Sequence, residues 1–271
     1  AAWSPNDWYR AGNPRLWHWG RSVARAESPD FVRWDYTAPA SAPVVLTADA
    51  RDPACTEFYS VMVFPYESVY IGLLQNFRSS PDTCWIDIQL VVSRDTASFT
   101  RVGDRAPFLP LGGLGEWDRF NHSLANNPPL AVGDDLRFYY SGRRGRHDPY
   151  GTLKDYAQPD VGVSDGSIGF ASVRRDRFVS LGASFDGGEL VTRPLDVRGS
   201  ALFLNGKADH GEILVEALDP SGAVLARAHP WRADSLGRAV AWPSGGLPGA
   251  GAPMRFRITL RNALLYALWA E

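Results

Sequence analysis

Residues suited to acid–base chemistry are concentrated in the segment Ala50–Ser60. Asp52 and Glu57 lie there, and Glu57 directly precedes the aromatic residues Phe58 and Tyr59. Hydrolysis of a glycosidic bond needs one carboxyl group that donates a proton and a second that attacks or activates water. An apolar surface beside the donor helps to keep it protonated near neutral pH. Glu57 is therefore the candidate general acid and Asp52 a lower-ranked alternative, although a solvated turn carboxylate without chemistry remains the other interpretation of Glu57.

A second group of candidates combines aromatic, amide and basic side chains that suit binding of a carbohydrate, the partner that we expect. Amides and imidazoles hydrogen-bond to hydroxyl groups, an arginine can hold a carboxylate, and aromatic rings pack on the apolar faces of sugars. The structural alternative is that the tryptophan packs between blades and the aspartate caps a turn. The candidates for substrate binding are Tyr59, Trp117, Asp118, Asn121, His122, Tyr140, Arg143, His147 and Tyr150.

Several other functions have little support in the sequence. The five histidines are scattered, with no His-Glu-x-x-His and no Cys-x-x-Cys, so we expect neither a metal site nor another cofactor. The glycines of Leu111–Gly115 do not open a helix, which argues against a nucleotide-phosphate site. The net charge of −2 gives no global field that would attract nucleic acid. No apolar run is long enough to span a membrane.

A recurring phrase predicts the architecture that must position these residues. Its copies, residues 26 to 34, 91 to 99 and 170 to 178, each place a serine after an apolar strand end. An aspartate follows two to four residues later, and then an aromatic residue. Recurrence of this kind is typical of one supersecondary unit used several times, as in the blades of a β-propeller.

Apolar alternation and turn residues predict two complete blades and a second domain. The first blade covers residues 57 to 102 and the second residues 117 to 183, with a long polar insert between Gly142 and Gly166. The strands of these blades are predicted near residues 58–64, 69–76, 86–92 and 99–102, and near residues 122–125, 136–141, 167–173 and 178–181.

From residue 187 onward, seven short strands with polar turns predict a β-sandwich. The predicted fold is all-β, with propeller blades in residues 1–186 and the sandwich in residues 187–271. Two blades alone would expose strand edges, and the chain does not begin with Met, so we expect a C-terminal portion of a longer protein. Cys55 and Cys84 either bridge neighbouring strands or remain free.

The recurring phrase and the domain order resemble the five-bladed propeller glycosidases of glycoside hydrolase families 32, 43 and 68. Ala26–Trp34 is similar to their repeated A-x-S-x-D-hydrophobic-x-x-W, and a propeller followed by a sandwich resembles family 32. The resemblance covers about residues 20 to 271. The stretches that most resemble bacterial family 32-like proteins are Glu57–Glu67, Gln89–Asp95, Leu136–Arg143 and Ile168–Leu181.

The resemblance implies hydrolysis of O-glycosidic bonds by three carboxylates on the inner strands of the first three blades. If the first complete blade is the third of the family, Glu57 takes the place of the general acid, and the nucleophile would lie upstream of residue 1. Arg51–Pro53 repeats the letters of a family motif but lies too close to Glu57 to be its counterpart. A secreted or periplasmic location follows from the resemblance alone.

Two other functions remain open. A non-catalytic propeller could bind a carbohydrate through the same aromatic and polar side chains without cleaving it. A protein-interaction scaffold is the third possibility, since a fold alone does not fix a function. The sugar, the linkage, the stereochemical course and the oligomeric state are not indicated by the sequence.

Overall fold

The computed structural model describes residues 20–35, 42–79, 84–147, 166–249 and 251–271. The chain divides into two compact units: the first comprises residues 1–131 and 137–172, and the second residues 132–136 and 173–271. The regular structure of the described residues is β-strand apart from one short 3-10 turn at Gly103–Arg105. The predicted all-β class is therefore confirmed.

The first unit is built on one sheet, in which two groups of strands that are successive in the sequence lie side by side. Across the sheet the strands lie in the order β11-β10-β8-β5-β4-β3, with β6 and β7 paired to β5 and β9 paired to β10. The strands β3, β4, β5 and β6 form an antiparallel meander that agrees with the first predicted blade. The strands of this unit are β1 (Val23–Ala24), β2 (Val44–Leu46), β3 (Thr56–Tyr66), β4 (Val69–Arg78), β5 (Trp85–Ser93), β6 (Phe99–Arg101), β7 (Pro107–Leu109), β8 (Asn121–Leu124), β9 (Leu130–Val132), β10 (Asp135–Arg143) and β11 (Gly166–Arg174).

Local sequence explains the tight pairing in the first meander. Tyr66 pairs with Val69, so a two-residue turn connects β3 and β4, and Glu67 adopts a φ of 50° there. Turns of this length match the twist of antiparallel strands when their central residues have positive φ. In the middle of β4, a Cβ on Gly72 would lie 2.5 Å from Cγ2 of Val91, so only glycine permits the close approach of β5.

Two copies of the recurring phrase fold into the same hydrogen-bonded turn. Oδ1 of Asp30 accepts hydrogen bonds from two backbone N–H groups, at 3.0 and 2.8 Å, and Oδ1 of Asp95 does the same at 2.9 and 2.8 Å. These N–H groups hold the pKa of both carboxyls below the ordinary value. The third copy differs because Asp176 stands two residues later than Asp95 relative to its serine, and Asp176 adopts a left-handed backbone with a φ of 64°.

A long-range hydrogen bond connects the first copy of the phrase with the second. Nε of Arg25, just before the first turn, donates to Oγ1 of Thr96 in the second turn at 3.0 Å. Thr96 is held in place by its own backbone N–H, which donates to Oγ of Ser93 at 2.9 Å. The two turns therefore have the same hydrogen-bonded geometry and are also connected to each other.

The second unit consists of two sheets that share one core. One sheet has the order β12-β20-β15-β18 and the other β13-β19-β16-β17, with β14 on β19. Leu204 and Leu265 from the first sheet pack with Ile213 and Phe256 from the second, as in a β-sandwich. The strands are β12 (Leu181–Ala183), β13 (Gly188–Val191), β14 (Leu195–Asp196), β15 (Leu202–Lys207), β16 (Glu212–Leu218), β17 (Val224–Arg227), β18 (Asp234–Ala239), β19 (Pro253–Arg261) and β20 (Ala263–Ala270).

Two predicted strands are wrong, one close to the start of this unit and one inside it. The strand predicted near residues 178–181 as the last of a blade is β12, which pairs with β20 instead, and Ala183 packs against the core of the second unit. The strand predicted at residues 239–242 begins earlier, at Asp234, and ends at Ala239. In both cases an apolar pattern marked a strand but could not identify its partner or its register.

No disulfide bond joins Cys55 and Cys84 in this structure. They directly precede β3 and β5, which lie on either side of β4, so roughly 9 to 10 Å separates them, beyond the reach of a disulfide. Both residues adopt a left-handed backbone, with φ of 58° and 47°. In the part of the chain that the structure describes, no helix is long and apolar enough to cross a membrane.

Candidate functional site

Glu57 is the second residue of β3, and its side chain is almost completely buried, with the residue 4% exposed. It lies opposite Phe77 of β4, so the two side chains project from the same side of the meander. Oε2 of Glu57 lies 3.6 Å from Nε of Arg21, which precedes β1. A Cβ on Gly20 would lie 2.4 Å from Cγ of Glu57, so glycine at this position lets the segment before β1 reach the carboxylate.

Aromatic rings surround the ion pair between Glu57 and Arg21. The guanidinium of Arg21 lies 4.6 Å from the ring centroid of Tyr59 and 5.7 Å from that of Phe77, both favourable cation–π distances. Tyr59 occupies the irregularity between Phe58 and Ser60, where β3 carries one residue more than β4. The extra residue leaves Tyr59 39% exposed, so part of its ring is open to a ligand.

His147 completes this cluster from a distant part of the chain. Its ring meets the edges of Tyr59 and Phe77 at centroid distances of 5.4 and 5.0 Å. Its backbone N–H donates to the carbonyl of Cys84 at 2.8 Å, which fixes the residue beside the start of β5. The structure therefore brings together Glu57, Tyr59 and His147, which the sequence analysis placed in two separate groups.

The remaining candidates of the second group form an internal network. Oη of Tyr140 donates to Oδ2 of Asp118 at 2.7 Å, and Nε2 of His122 lies 3.4 Å from the same oxygen. Burial and the Asp118 carboxylate raise the pKa of Tyr140, so its proton stays on the phenol. Burial lowers the pKa of His122, which favours a neutral imidazole. Among the described residues neither nitrogen of His122 has a hydrogen-bond partner, so the bond from Tyr140 to Asp118 is the one that holds this group together.

Trp117 packs against backbone rather than presenting an open ring. It stacks on Tyr140 with centroids 5.3 Å apart and planes at 27°. A Cβ on Gly142 or on Gly169 would approach the indole to 2.6 or 2.7 Å, so both glycines are needed to admit the ring. Trp117 is therefore a packing residue, but these contacts lie on two strands of the second predicted blade and not between two blades.

Asn121 and Arg143 face each other across β8 and β10, on the side opposite His122 and Tyr140. Nδ2 of Asn121 donates to the carbonyl of Gly145 at 2.9 Å, and its Oδ1 is buried without a hydrogen-bond partner. Arg143 is exposed. Tyr150, the last candidate, lies outside the described residues.

Asp52 lies apart from Glu57 in an ion-pair network. Both of its carboxylate oxygens lie 2.7 Å from Nη1 of Arg101, and Oδ2 lies 3.2 Å from Nη1 of Arg105. The backbone N–H of Asp49 also donates to Oδ2 at 2.9 Å. With its oxygens engaged in this way, Asp52 connects the loop before β3 to the segment after β6.

Sequence analysis missed Asp87, a buried carboxyl group in the middle of the first meander. Burial raises the pKa of Asp87, although Nδ2 of Asn76 donates to its Oδ1 at 2.9 Å. Asp87 and Asn76 face each other on the side of the meander opposite Glu57. Asp87 shares its face of β5 with Val91, on which Leu46 of β2 packs, and the burial of this face could not be read from the sequence pattern.

Among the described residues, no three His, Cys, Asp or Glu side chains form a group that could hold a metal ion. The arrangement around Glu57 instead offers one buried carboxyl group, one guanidinium and a half-exposed ring. Such a set can donate or accept a proton beside an apolar surface.

No protein-family model matches the chain, and no curated protein sequence matches it. A family 117 glycoside hydrolase from Zobellia galactanivorans is 16% identical, with a TM-score of 0.37, over 88% of this chain and 70% of its own. The family 32 β-fructofuranosidase of Bombyx mori is 10% identical, with a TM-score of 0.36, over 93% and 72%.

An N-acetylgalactosamine deacetylase from F. plautii is 21% identical, with a TM-score of 0.37, over 60% of this chain and 44% of its own. The chain spans 36% of the length of a further similar structure, a glycoside hydrolase. Several of the structurally similar proteins are therefore glycoside hydrolases.

Proposed function

We propose that this chain belongs to a glycoside hydrolase-like protein that cleaves O-glycosidic bonds of an oligo- or polysaccharide, with Glu57 as the general acid. The observation that supports this function best is the position of Glu57. It is buried at the start of β3, and the half-exposed ring of Tyr59 and the imidazole of His147 lie beside it. A proton donor next to a surface that can support a sugar ring is what glycosidic cleavage requires.

Each residue of this cluster has a separate task in the proposed reaction. Glu57 acts in its protonated form and gives its proton to the glycosidic oxygen, which takes the bonding electron pair as the bond to the leaving sugar breaks. Arg21, at 3.6 Å, then stabilises the carboxylate that remains. Tyr59 supports the apolar face of a sugar ring, and His147 holds the Tyr59 ring in place through its edge contact.

The proposed reaction also needs a second carboxylate, about 5 to 9.5 Å from the acid. In the described part of the chain, Asp52 is bound to Arg101 and Asp118 accepts from Tyr140. Asp87 projects from the other side of the meander. We therefore propose that the second carboxylate comes from residues outside the described ranges.

The test uses the full-length protein with a panel of aryl glycosides and polysaccharides. Glu57→Gln keeps the size of the side chain but cannot donate the proton, so kcat should fall by about 10²- to 10⁴-fold. Glu116→Gln, which changes an exposed carboxylate of the same unit, is the matched control and should retain wild-type turnover. Near-native activity of a folded Glu57→Gln variant would exclude Glu57 as the acid.

A second candidate function is carbohydrate binding without cleavage. The observation that favours it is the absence, among the described residues, of a second carboxylate placed for catalysis beside Glu57. Under this alternative Tyr59 and Arg21 bind a sugar, and Glu57 accepts hydrogen bonds from its hydroxyl groups. Saturable binding of a glycan that neither the wild type nor Glu57→Gln hydrolyses would identify this function.

A further inference from the structure

Two guanidinium groups converge on one aromatic ring in the first unit. Cζ of Arg119 lies 4.8 Å and Cζ of Arg146 lies 5.4 Å from the ring centroid of Phe120. Arg144, which precedes Arg146 in the turn after β10, is exposed. We refer to these three residues, Arg119, Arg144 and Arg146, as the arginine cluster.

The backbone that carries the arginine cluster is fixed at three points. The N–H of Phe120 donates to the carbonyl of Arg143 at 3.1 Å, and Nδ2 of Asn121 donates to the carbonyl of Gly145 at 2.9 Å. The N–H of His147 donates to the carbonyl of Cys84 at 2.8 Å. Because the turn is held in this way, its charges have defined positions, which lowers the entropic cost of binding an anion.

The arginine cluster is continuous with the proposed active site. His147 follows Arg146 directly, and its ring touches Tyr59, on whose ring the guanidinium of Arg21 also lies. The arginine cluster is therefore linked to the ring that carries Arg21 through two adjacent residues, Arg146 and His147, in a chain whose net charge is −2. Two carboxylates named above are already engaged, since Glu57 pairs with Arg21 and Asp118 accepts from Tyr140.

We infer that the substrate is an acidic glycan, whose sugars carry carboxylate or sulfate groups; this inference rests on the proposed function. Guanidinium groups bind such oxyanions through paired N–H donors, and arginine suits this contact better than lysine. A neutral glycan would make no use of three guanidinium groups next to the site. In this arrangement Tyr59 supports the sugar beside Glu57, and the arginine cluster binds the acidic groups of neighbouring sugars.

Calorimetric titrations of the full-length protein carrying Glu57→Gln test the inference, because this variant should not consume its ligand. The ligands are an oligogalacturonate, a sulfated galactan oligosaccharide and a neutral galactan oligosaccharide of equal length. We expect at least one acidic ligand to bind about tenfold more tightly than the neutral one, with the advantage falling as salt is added. The acidic ligand that binds more tightly identifies the acidic group, carboxylate or sulfate. Equal affinity for all three ligands overturns the inference.

Two variants show whether the arginine cluster is responsible. The double variant Arg119→Gln with Arg146→Gln should lower the affinity for the acidic ligand about tenfold and leave the affinity for the neutral ligand unchanged. Arg144→Gln alone, at an exposed position, should lower the affinity for the acidic ligand about threefold. Arg198→Gln, an exposed arginine of the second unit, is the control. Unchanged acidic binding in folded variants overturns the inference, as does equal affinity for a single-stranded RNA of the same charge.

The outcomes separate this inference from the proposed function. Hydrolysis of a neutral glycan by the wild type, with no preference for acidic ones, would support the glycosidase and overturn the acidic substrate. Tight binding of an acidic glycan that the wild type does not hydrolyse would support the acidic ligand and overturn the catalytic proposal.

Discussion

Nε of Arg21 lies 3.6 Å from Oε2 of Glu57, and both side chains are largely removed from solvent. The two residues are 36 positions apart in the chain, so the pair connects the segment before β1 to the start of β3. Removing one partner of a buried ion pair leaves the other charge uncompensated, whereas removing both does not. This relation makes a double-mutant cycle informative.

Arg21→Gln should lower the free energy of unfolding by about 2 kcal/mol, because Glu57 loses its cation in a buried position. Arg21→Gln combined with Glu57→Gln should cost less than the sum of the two single changes. Urea unfolding of the four proteins measures the coupling. Additive losses would show that the pair contributes nothing beyond its separate side chains.

Tyr140→Phe removes the hydroxyl that donates to Asp118 and should destabilise the protein by about 1 to 3 kcal/mol at neutral pH. The pKa of Tyr140 is raised in the folded state, so its contribution is present below about pH 10 and is lost as the pH rises further. Tyr140→Phe should therefore flatten the alkaline fall in stability. The half-exposed neighbour offers the control: Tyr139→Phe should leave both the stability and its pH dependence close to wild type.

Asp87→Asn should stabilise the protein by about 1 kcal/mol at pH 7, because burial disfavours the charged carboxylate there. The new amide can also donate to Oδ1 of Asn76, which is buried without a partner. A raised pKa means that the wild-type group favours folding only while protonated, so the gain should shrink as the pH falls toward 4. Thermal unfolding between pH 4 and 8 measures this gain in stability. A loss of stability in Asp87→Asn at pH 7 would show that Arg78 compensates the buried charge.

Asp52→Asn should act on stability and leave the chemistry intact. It removes a buried carboxylate from Arg101 and Arg105, which should cost about 3 kcal/mol, whereas Asp49→Asn, at a more exposed pair, should cost less than about 1 kcal/mol. Chemical denaturation compares the two variants. In the full-length protein at a temperature where both are folded, a fall in kcat for Asp52→Asn as large as that for Glu57→Gln would assign Asp52 a direct role.

The strands of the first meander could be predicted because their signals are local. The alternation of Ile86, Ile88 and Leu90 and the turn at Glu67 lie within single segments of sequence. The partner of β12 could not be predicted, because Leu181 pairs with Leu265 of a strand far along the chain. A short apolar run specifies a strand and not the sheet that it joins.

Part of the site could be predicted for the same reason. Residue type and position selected Glu57, Tyr59 and His147, which the structure gathers around Phe77. Arg21 was missed because no local pattern indicates a contact across 36 residues. Trp117 was selected as a binding residue but is a packing residue. Its packing could not be predicted, because Gly142 and Gly169, which admit its ring, come from two other strands.

The hydrogen bond from Arg25 to Thr96 also has a consequence for the order of folding. It joins residues 71 positions apart, and the meander of β3, β4 and β5 lies entirely between them. Contacts of such long sequence separation form after the local pairings that shorten the effective loop. Arg25 therefore reports on a late event, the closure of the N-terminal strands onto a meander that has already formed, and its removal should speed unfolding more than it slows folding.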